Sequence, residues 1–442
     1  MSAVAAWIYR TPGATLLAWS ADPIRAFTLF GTLIALGYGA RQDGYSPFVI
    51  PFFEPIVGNG LTGVEVLVML LGIADMVRRS MAGDTRFSRS PLTPHMILVG
   101  VVLALVPMLR MFAEGGGFRF AFEMICFPVF VVSFFIWLRL YRRRDLPLAL
   151  WLLLLAGAYK TIEGILVYFA VGIGWSLLSG WRDGLLLMMC LTAAFFAFAI
   201  PDRGDPVYRR LRHAIFLLSP FALFTFIGAQ RRSFILGMVF ALVVLVWFFN
   251  RGERRRVLKL LPLFLVSGAA AIAIFGSKLE LDKRVEGISK PSGEGSAAYR
   301  LIELYNVGSM VLERPVFGWP MGVMWENRLG IEVERVSTVI PHNTYLYAAW
   351  RGGVLGLAAW VLLTGATVAM HVRTIRAARH PLERFAAFWL ASATLSIIVA
   401  GLTMCAVTDR LAYFLPFISV ISSTLPGAFR RPPLPLASTE LP

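Results

Sequence analysis

From Ser277 the chain reads Ser277-Lys278-Leu279-Glu280-Leu281-Asp282-Lys283-Arg284, and no segment from there to Pro341 could span a membrane. Long apolar runs lie on both sides of this break. It closes on Pro341-His342-Asn343, and another apolar run carrying Gly352, Gly353 and Gly356 follows at once. The 442 residues are 57% hydrophobic, with a mean hydropathy of +0.70. Runs of 18 or more apolar residues recur, which is the pattern of membrane-spanning helices. They are too long and too continuous for the alternating strands of a membrane barrel. The chain therefore reads as an all-α polytopic membrane protein with the polar break as its working part.

Spans are predicted at 24–40, 62–77, 94–112, 120–138, 146–172, 184–200, 211–229, 233–249, 257–276, 344–370, 383–405 and 410–428. This makes about twelve helices of bilayer length. The formal net charge is +16, and the basic residues alternate along the chain. Arg78 and Arg79, Arg142 to Arg144, Arg209 and Arg210, Arg254 to Arg256, and Arg373 and Arg376 all fall in or beside even-numbered connections. Cytoplasmic loops are enriched in Lys and Arg, so the pattern puts both termini in the cytoplasm and the 277–341 break outside. The charge is thereby explained without a nucleic-acid partner. Three regions are expected: transmembrane helices 1–9 over 1–276, an outer loop over 277–343, and helices 10–12 with a cytoplasmic tail over 344–442. The segment from Met1 to Ser20 carries Arg10 and no convincing small-residue cleavage site, so it reads as interfacial. Cys126, Cys190 and Cys405 fall in apolar runs and suggest neither disulfides nor a metal site.

Within the loop, Ser296 to Glu313 has apolar residues at helical spacing (Leu301, Leu304, Tyr305, Val311, Leu312), and Pro315 stops it. Among the histidines, His95, His213, His371 and His380 lie in or beside cytoplasmic connections. His342 alone falls on the outer face, where a helix begins and Asn343 can cap it. The bland alternative is a structural histidine at a helix boundary. Arg182, Arg231, Arg232 and Arg300 fall on the same face. Guanidinium suits bidentate binding of phosphate, so these arginines could hold a lipid carrier's pyrophosphate; the alternative is contact with lipid headgroups. Lys160 and Glu163 lie three residues apart inside a span, as an intramembrane functional pair or simply as partners of each other. The outer carboxylates Asp43, Glu54, Glu114, Asp183 and Asp409 are scattered. Of these only Asp43 is placed as a catalytic acid would be. Neither a P-loop nor a clustered acidic metal site is present in the sequence.

Taken together, these residues resemble the signature of the O-antigen ligase and Wzy-type polymerase superfamily. His342-Asn343, nine residues, then Gly353-Val354-Leu355-Gly356 is similar to its histidine motif. Tyr299-Arg300 followed by Glu313-Arg314-Pro315-Val316-Phe317-Gly318-Trp319 resembles its arginine helix and Pro-x-x-Gly turn. Arg231-Arg232-Ser233 resembles its Arg-Ser turn, and Arg182 sits where another family arginine is expected. The chain departs from the pattern at Trp350-Arg351, where an acidic residue is common, and lacks an Asn-Pro-Asn-like element after Arg182. The resemblance implies a C-type glycosyltransferase fold in the bacterial inner membrane, with a partly helical periplasmic loop between spans 9 and 10. It also implies metal-independent, inverting transfer of a glycan from undecaprenyl pyrophosphate to an acceptor hydroxyl, on a glycan or on lipid A-core, with no cofactor. His342 would be the base. Arg182, Arg231, Arg232 and Arg300 would bind the donor pyrophosphate, with Lys160, Glu163 and Asn343 in support. A transporter or an envelope scaffold would share the span count without needing His342.

Overall fold

The computed structural model describes residues 63–83, 89–114, 123–171, 181–229, 232–259, 295–329, 341–403, 405 and 411–428. All regular elements among them are helical. In chain order they are α1 (Gly63–Met81), α2 (Thr93–Glu114), α3 (Glu123–Leu140), α4 (Leu146–Val171), α5 (Trp181–Ala199), α6 (Pro206–Ala229) and α7 (Arg232–Val246). They continue with α8 (Gly295–Glu313), α9 (Thr344–Ala377), α10 (Pro381–Ala400) and α11 (Leu411–Thr424). A further short helix covers 251–259. The predicted span at 24–40, and all of 257–276 beyond residue 259, lie outside the described residues. The other predicted spans each coincide with a helix. By length and composition four helical stretches among the described residues can cross a membrane: Thr93–Glu114, Arg143–Leu166, Thr344–Ala377 and Pro381–Ala400. Shorter apolar helices are found within α3, α5, α7 and α11.

Helix α10 is the hub. It packs against α5, α7, α9 and α11, and Phe385 to Ala391 are buried without interruption. A helix apolar all round must be enclosed by others or by lipid. Its hydroxyls bond back along the helix, Ser392 to the Trp389 carbonyl at 2.7 Å and Thr394 to that of Leu390 at 3.1 Å. Trp389 Nε1 donates across to the Met189 carbonyl of α5 at 2.8 Å. These bonds satisfy polar groups where no water is available to do so.

The connections sort to two ends. At one end Arg384 forms a fork on Glu253, at 2.6 and 2.7 Å. There too Arg143 pairs with Glu383, His380 lies 3.7 Å from Asp205, and Arg256 reaches the Ala199 carbonyl at 3.4 Å. These residues come from the fourth, sixth, eighth and tenth connections, the arginine-rich ones. At the other end the start of α7, the end of α10 and the segments after α2 and α8 come together. Ser233 and Thr403 share a hydrogen bond of 2.6 Å, and Arg314 pairs with Glu114 at 2.6 Å.

Helix α9 is 34 residues long, about 50 Å at 1.5 Å per residue. It is broken at Gly353, whose φ of 61° and ψ of −152° are not helical. The loop after α8 fills the break. The Val354 amide, which would bond to Trp350 in an unbroken helix, donates instead to the Pro315 carbonyl at 2.7 Å. The Trp350 carbonyl so released accepts from the Trp319 amide, also at 2.7 Å. Both halves of one lost helical bond are thus restored by the stretch from Pro315 to Trp319, as buried backbone groups require. Gly352 and Gly356 serve another neighbour. A Cβ at either would meet Leu103 of α2, at 2.7 and 2.6 Å. The pair is four residues apart and admits close helix approach, as small residues do in membranes. Leu103 lies in a π-helical stretch, Gly100–Leu105.

Candidate active site

The start of α9 is held on three sides. Asn343 is its N-cap: the side-chain oxygen accepts from the amides of Tyr345 at 2.9 Å and Leu346 at 3.0 Å. Its Nδ2 donates to the Leu402 carbonyl at 3.0 Å. The Thr344 amide donates to Gly401 at 2.8 Å, so the beginning of α9 is tied to the end of α10. The adjacent Thr403 carries the hydrogen bond to Ser233, which connects the start of α7 to the same cluster.

The third side is α8. Glu303, only 2% exposed, turns its carboxylate onto His342. Oε2 accepts from the His342 amide at 2.9 Å and Oε1 lies 3.2 Å from Nδ1. The Tyr299 ring stands edge-on to the imidazole, with centroids 5.5 Å apart. Tyr299 and Glu303 are four residues apart and share one face of α8. His342 itself is half-buried.

The inward face of α8 is more polar than its sequence suggests. Glu303, Asn306, Val307 and Met310 are buried. Of the five apolar residues read at helical spacing, four point outward instead, with Leu301 67%, Leu304 51%, Tyr305 57% and Leu312 79% exposed, while Val311 packs against the core. The inward side chains have partners. Asn306 accepts from the Arg328 amide at 3.0 Å. Arg328 pairs with Glu313, which holds the Glu313 carboxyl below the usual carboxylate range through the guanidinium hydrogen bond.

Arg351, where the family pattern favours an acid, is wholly buried. Its guanidinium donates to the carbonyls of Pro320 at 2.8 Å and Val323 at 2.9 Å, and lies 3.5 Å from the Trp350 ring centroid. A cation serves here because the loop presents carbonyl oxygens. Arg110 of α2 does the same from another side, donating to Phe317 at 3.1 Å and Gly318 at 2.8 Å. Glu114 is engaged by Arg110 and Arg314.

The other expected site residues are placed as follows. Arg300 is half-buried on α8, three residues before Glu303, and forms no ion pair among the described residues. Arg232 is the first residue of α7, beside Ser233. Arg182 is in the first turn of α5. That helix ends at Ala199, beside Arg256 at the far end, so it starts at the His342 end. The side chains of Arg182, Asp183 and Arg232, and all of Arg231, Asp43, Glu54 and Asp409, lie outside the described residues. Lys160 and Glu163 are buried and 2.5 Å apart. Their helix α4 packs chiefly on α5 and α6. Sequence reasoning missed Glu303. Its signal was an acid placed one turn after Tyr299 on a loop helix, and only the tertiary structure shows what it faces.

A mainly apolar crevice opens beside Thr344 and Tyr345, one turn below this cluster. It runs between α2, α3, α9, α10 and α11, past Trp360, Leu363, Ile397 and Leu415.

Residues 214–361 match the family model described as O-antigen ligase, which places that segment in the O-antigen ligase-like superfamily. The matched stretch includes Arg232, Arg300, Glu303, His342 and the break at Gly353. It leaves out α1 to α5, α10 and α11. No curated protein matches the chain.

Proposed function

We propose that this chain, with its O-antigen ligase segment over 214–361, is a membrane glycosyltransferase that moves a glycan from undecaprenyl pyrophosphate to an acceptor hydroxyl. The observation carrying the reading is the hold of Glu303 on His342 at 2.9 and 3.2 Å, on the helix that also bears Arg300. An imidazole fixed at a helix start by a buried carboxylate suits a general base for glycosyl transfer. The site lies at the end opposite the arginine-rich connections, which is the periplasmic side by the positive-inside rule.

The reaction is a single inverting displacement. The acceptor oxygen attacks the anomeric carbon and gives its proton to His342 Nε2. The bond from that carbon to the phosphate oxygen breaks, and the pyrophosphate leaves with the electron pair. Arg182, Arg231, Arg232 and Arg300 neutralise its charge, which is preorganised electrostatic stabilisation. Asn343 keeps the start of α9 in register. The apolar crevice below Thr344 suits the isoprenoid tail. The pair Lys160–Glu163 braces α4, which packs on α5, the helix that bears Arg182. The acceptor is lipid A-core in the ligase form of this reaction and the growing glycan in the polymerase form.

The test is deletion of the chain in its own host, followed by electrophoresis of lipopolysaccharide and of carrier-linked glycan. Full-length glycan stranded on the carrier is the expected result and means ligase. Single repeat units on the carrier mean polymerase. An unchanged glycan profile overturns the proposal in favour of transport or scaffolding.

A further inference from the structure

We infer that Glu303 is the positioning residue that sets the tautomer of His342, holding its imidazole with the proton on Nδ1 so that Nε2 carries the lone pair. This deepens the glycosyl-transfer reading and rests on it. The argument is one of donors and acceptors. A carboxylate can only accept hydrogen bonds. Oε2 is committed to the His342 amide at 2.9 Å, which fixes the carboxylate plane and leaves Oε1 facing Nδ1 at 3.2 Å. Nδ1 must then be the donor, and in a neutral imidazole the other nitrogen is the acceptor. Glu303 is 2% exposed, so water does not compete for it. The edge-on Tyr299 ring limits rotation of the imidazole. Because Arg300 is on the same helix, the group that engages the donor and the group that orients the base move as one body.

The amide analogue gives a sharp contrast. In Glu303→Gln the single side-chain oxygen can still take the His342 amide. Its NH2 group would then face Nδ1 and make that nitrogen the acceptor. The proton would move to Nε2, leaving no lone pair there for the acceptor hydroxyl.

The experiment is nitrogen NMR on full-length protein labelled with 15N-histidine, in phosphatidylethanolamine–phosphatidylglycerol nanodiscs. It is run at about pH 8, above the ordinary titration range of imidazole, with the His342 signals assigned by their loss in His342→Gln. The expected result is a proton on Nδ1 in the wild type and on Nε2 in Glu303→Gln. Glycan transfer in cells should fall by roughly 100-fold with Glu303→Gln, the upper range for loss of a residue that orients a ligating or reacting histidine, and recover in part with Glu303→Asp. A wild-type proton on Nε2 overturns the inference, whether or not the variants accumulate. So does an unchanged tautomer in Glu303→Gln, even if transfer falls, because the role would then be structural only. Retained transfer in His342→Ala would overturn the functional reading and leave the tautomer result standing, so the two failures are separable.

Discussion

The main chain of Val316 fills the space in which any side chain at Gly353 would have to begin. A Cβ there would lie 2.3 Å from both the carbonyl carbon and the carbonyl oxygen of Val316. The backbone at Gly353 also sits in a region that is essentially restricted to glycine. Gly353→Ala should therefore expel the Pro315–Gly318 turn and lower stability by about 2 kcal/mol or more. Trypsin should then cut faster after Arg328, which precedes Leu329. Gly308→Ala is the control: nothing lies within 4 Å of a Cβ at that position, and its melting temperature should hold or rise.

Arg351 anchors the next stretch of the same loop. Arg351→Leu would strand the carbonyls of Pro320 and Val323, each bonded now to a charged donor. Bonds of that kind contribute about 1.5–3 kcal/mol each. A marked fall in melting temperature is expected, while Arg351→Lys, which can reach one carbonyl but not fork to both, should fall between. Equal melting of all three proteins would show that the loop does not depend on this contact.

His342 and Asn343 are neighbours with separable effects. His342→Ala should abolish glycan transfer with normal membrane insertion. Asn343→Ala should lower stability by about 0.5–2 kcal/mol through loss of the cap and leave measurable transfer. Glycan electrophoresis beside thermal melting reads both, and the ranking should reverse between the two assays.

Arg300→Lys and Arg232→Lys keep the charge but lose the planar fork. Each should raise the concentration of lipid-linked donor needed for half-maximal transfer, in membranes supplied with donor extract. Unchanged donor dependence in both variants would assign these arginines to lipid headgroups.

The Glu313–Arg328 contact gives a pH signature. The guanidinium holds the Glu313 carboxyl below its ordinary value of 4.5. A depressed acid supports the fold fully above the unfolded value and loses that support as pH falls through the folded one. Hydrogen exchange at the end of α8 should therefore speed up below about pH 4.5 relative to neutral pH, after correction for intrinsic rates. Arg328→Gln should flatten this dependence.

The helices could be read in the sequence because membrane runs are long and continuous, and α8 ended where Pro315 required. The gathering of alternate connections at one end was legible from arginine alone. What each loop residue faces was not. Leu301 and Leu312 suggested the face of α8 that would matter, yet hydropathy does not distinguish burial in protein from exposure to lipid or interface. Glu303 looked like any loop acid. Its importance comes from His342, 39 residues away, and periodicity carries no information at that range. The glycines after His342 were visible as a motif. That Gly353 faces Val316 while Gly352 and Gly356 face Leu103 needed three dimensions.

The nine residues between Asn343 and Gly353 act as a protractor. Gly353 is fixed by the loop it accommodates and Asn343 by the turn after α10, so the helix between them sets the bearing of His342. An α-helix turns about 100° and rises about 1.5 Å per residue. Removing one residue would leave the loop docked and swing the imidazole roughly a quarter-turn away from Glu303. Adding a full turn would restore the bearing but displace His342 by about 5.4 Å along the axis. The spacing in the motif is therefore an angle as much as a length, and neither kind of indel can be absorbed.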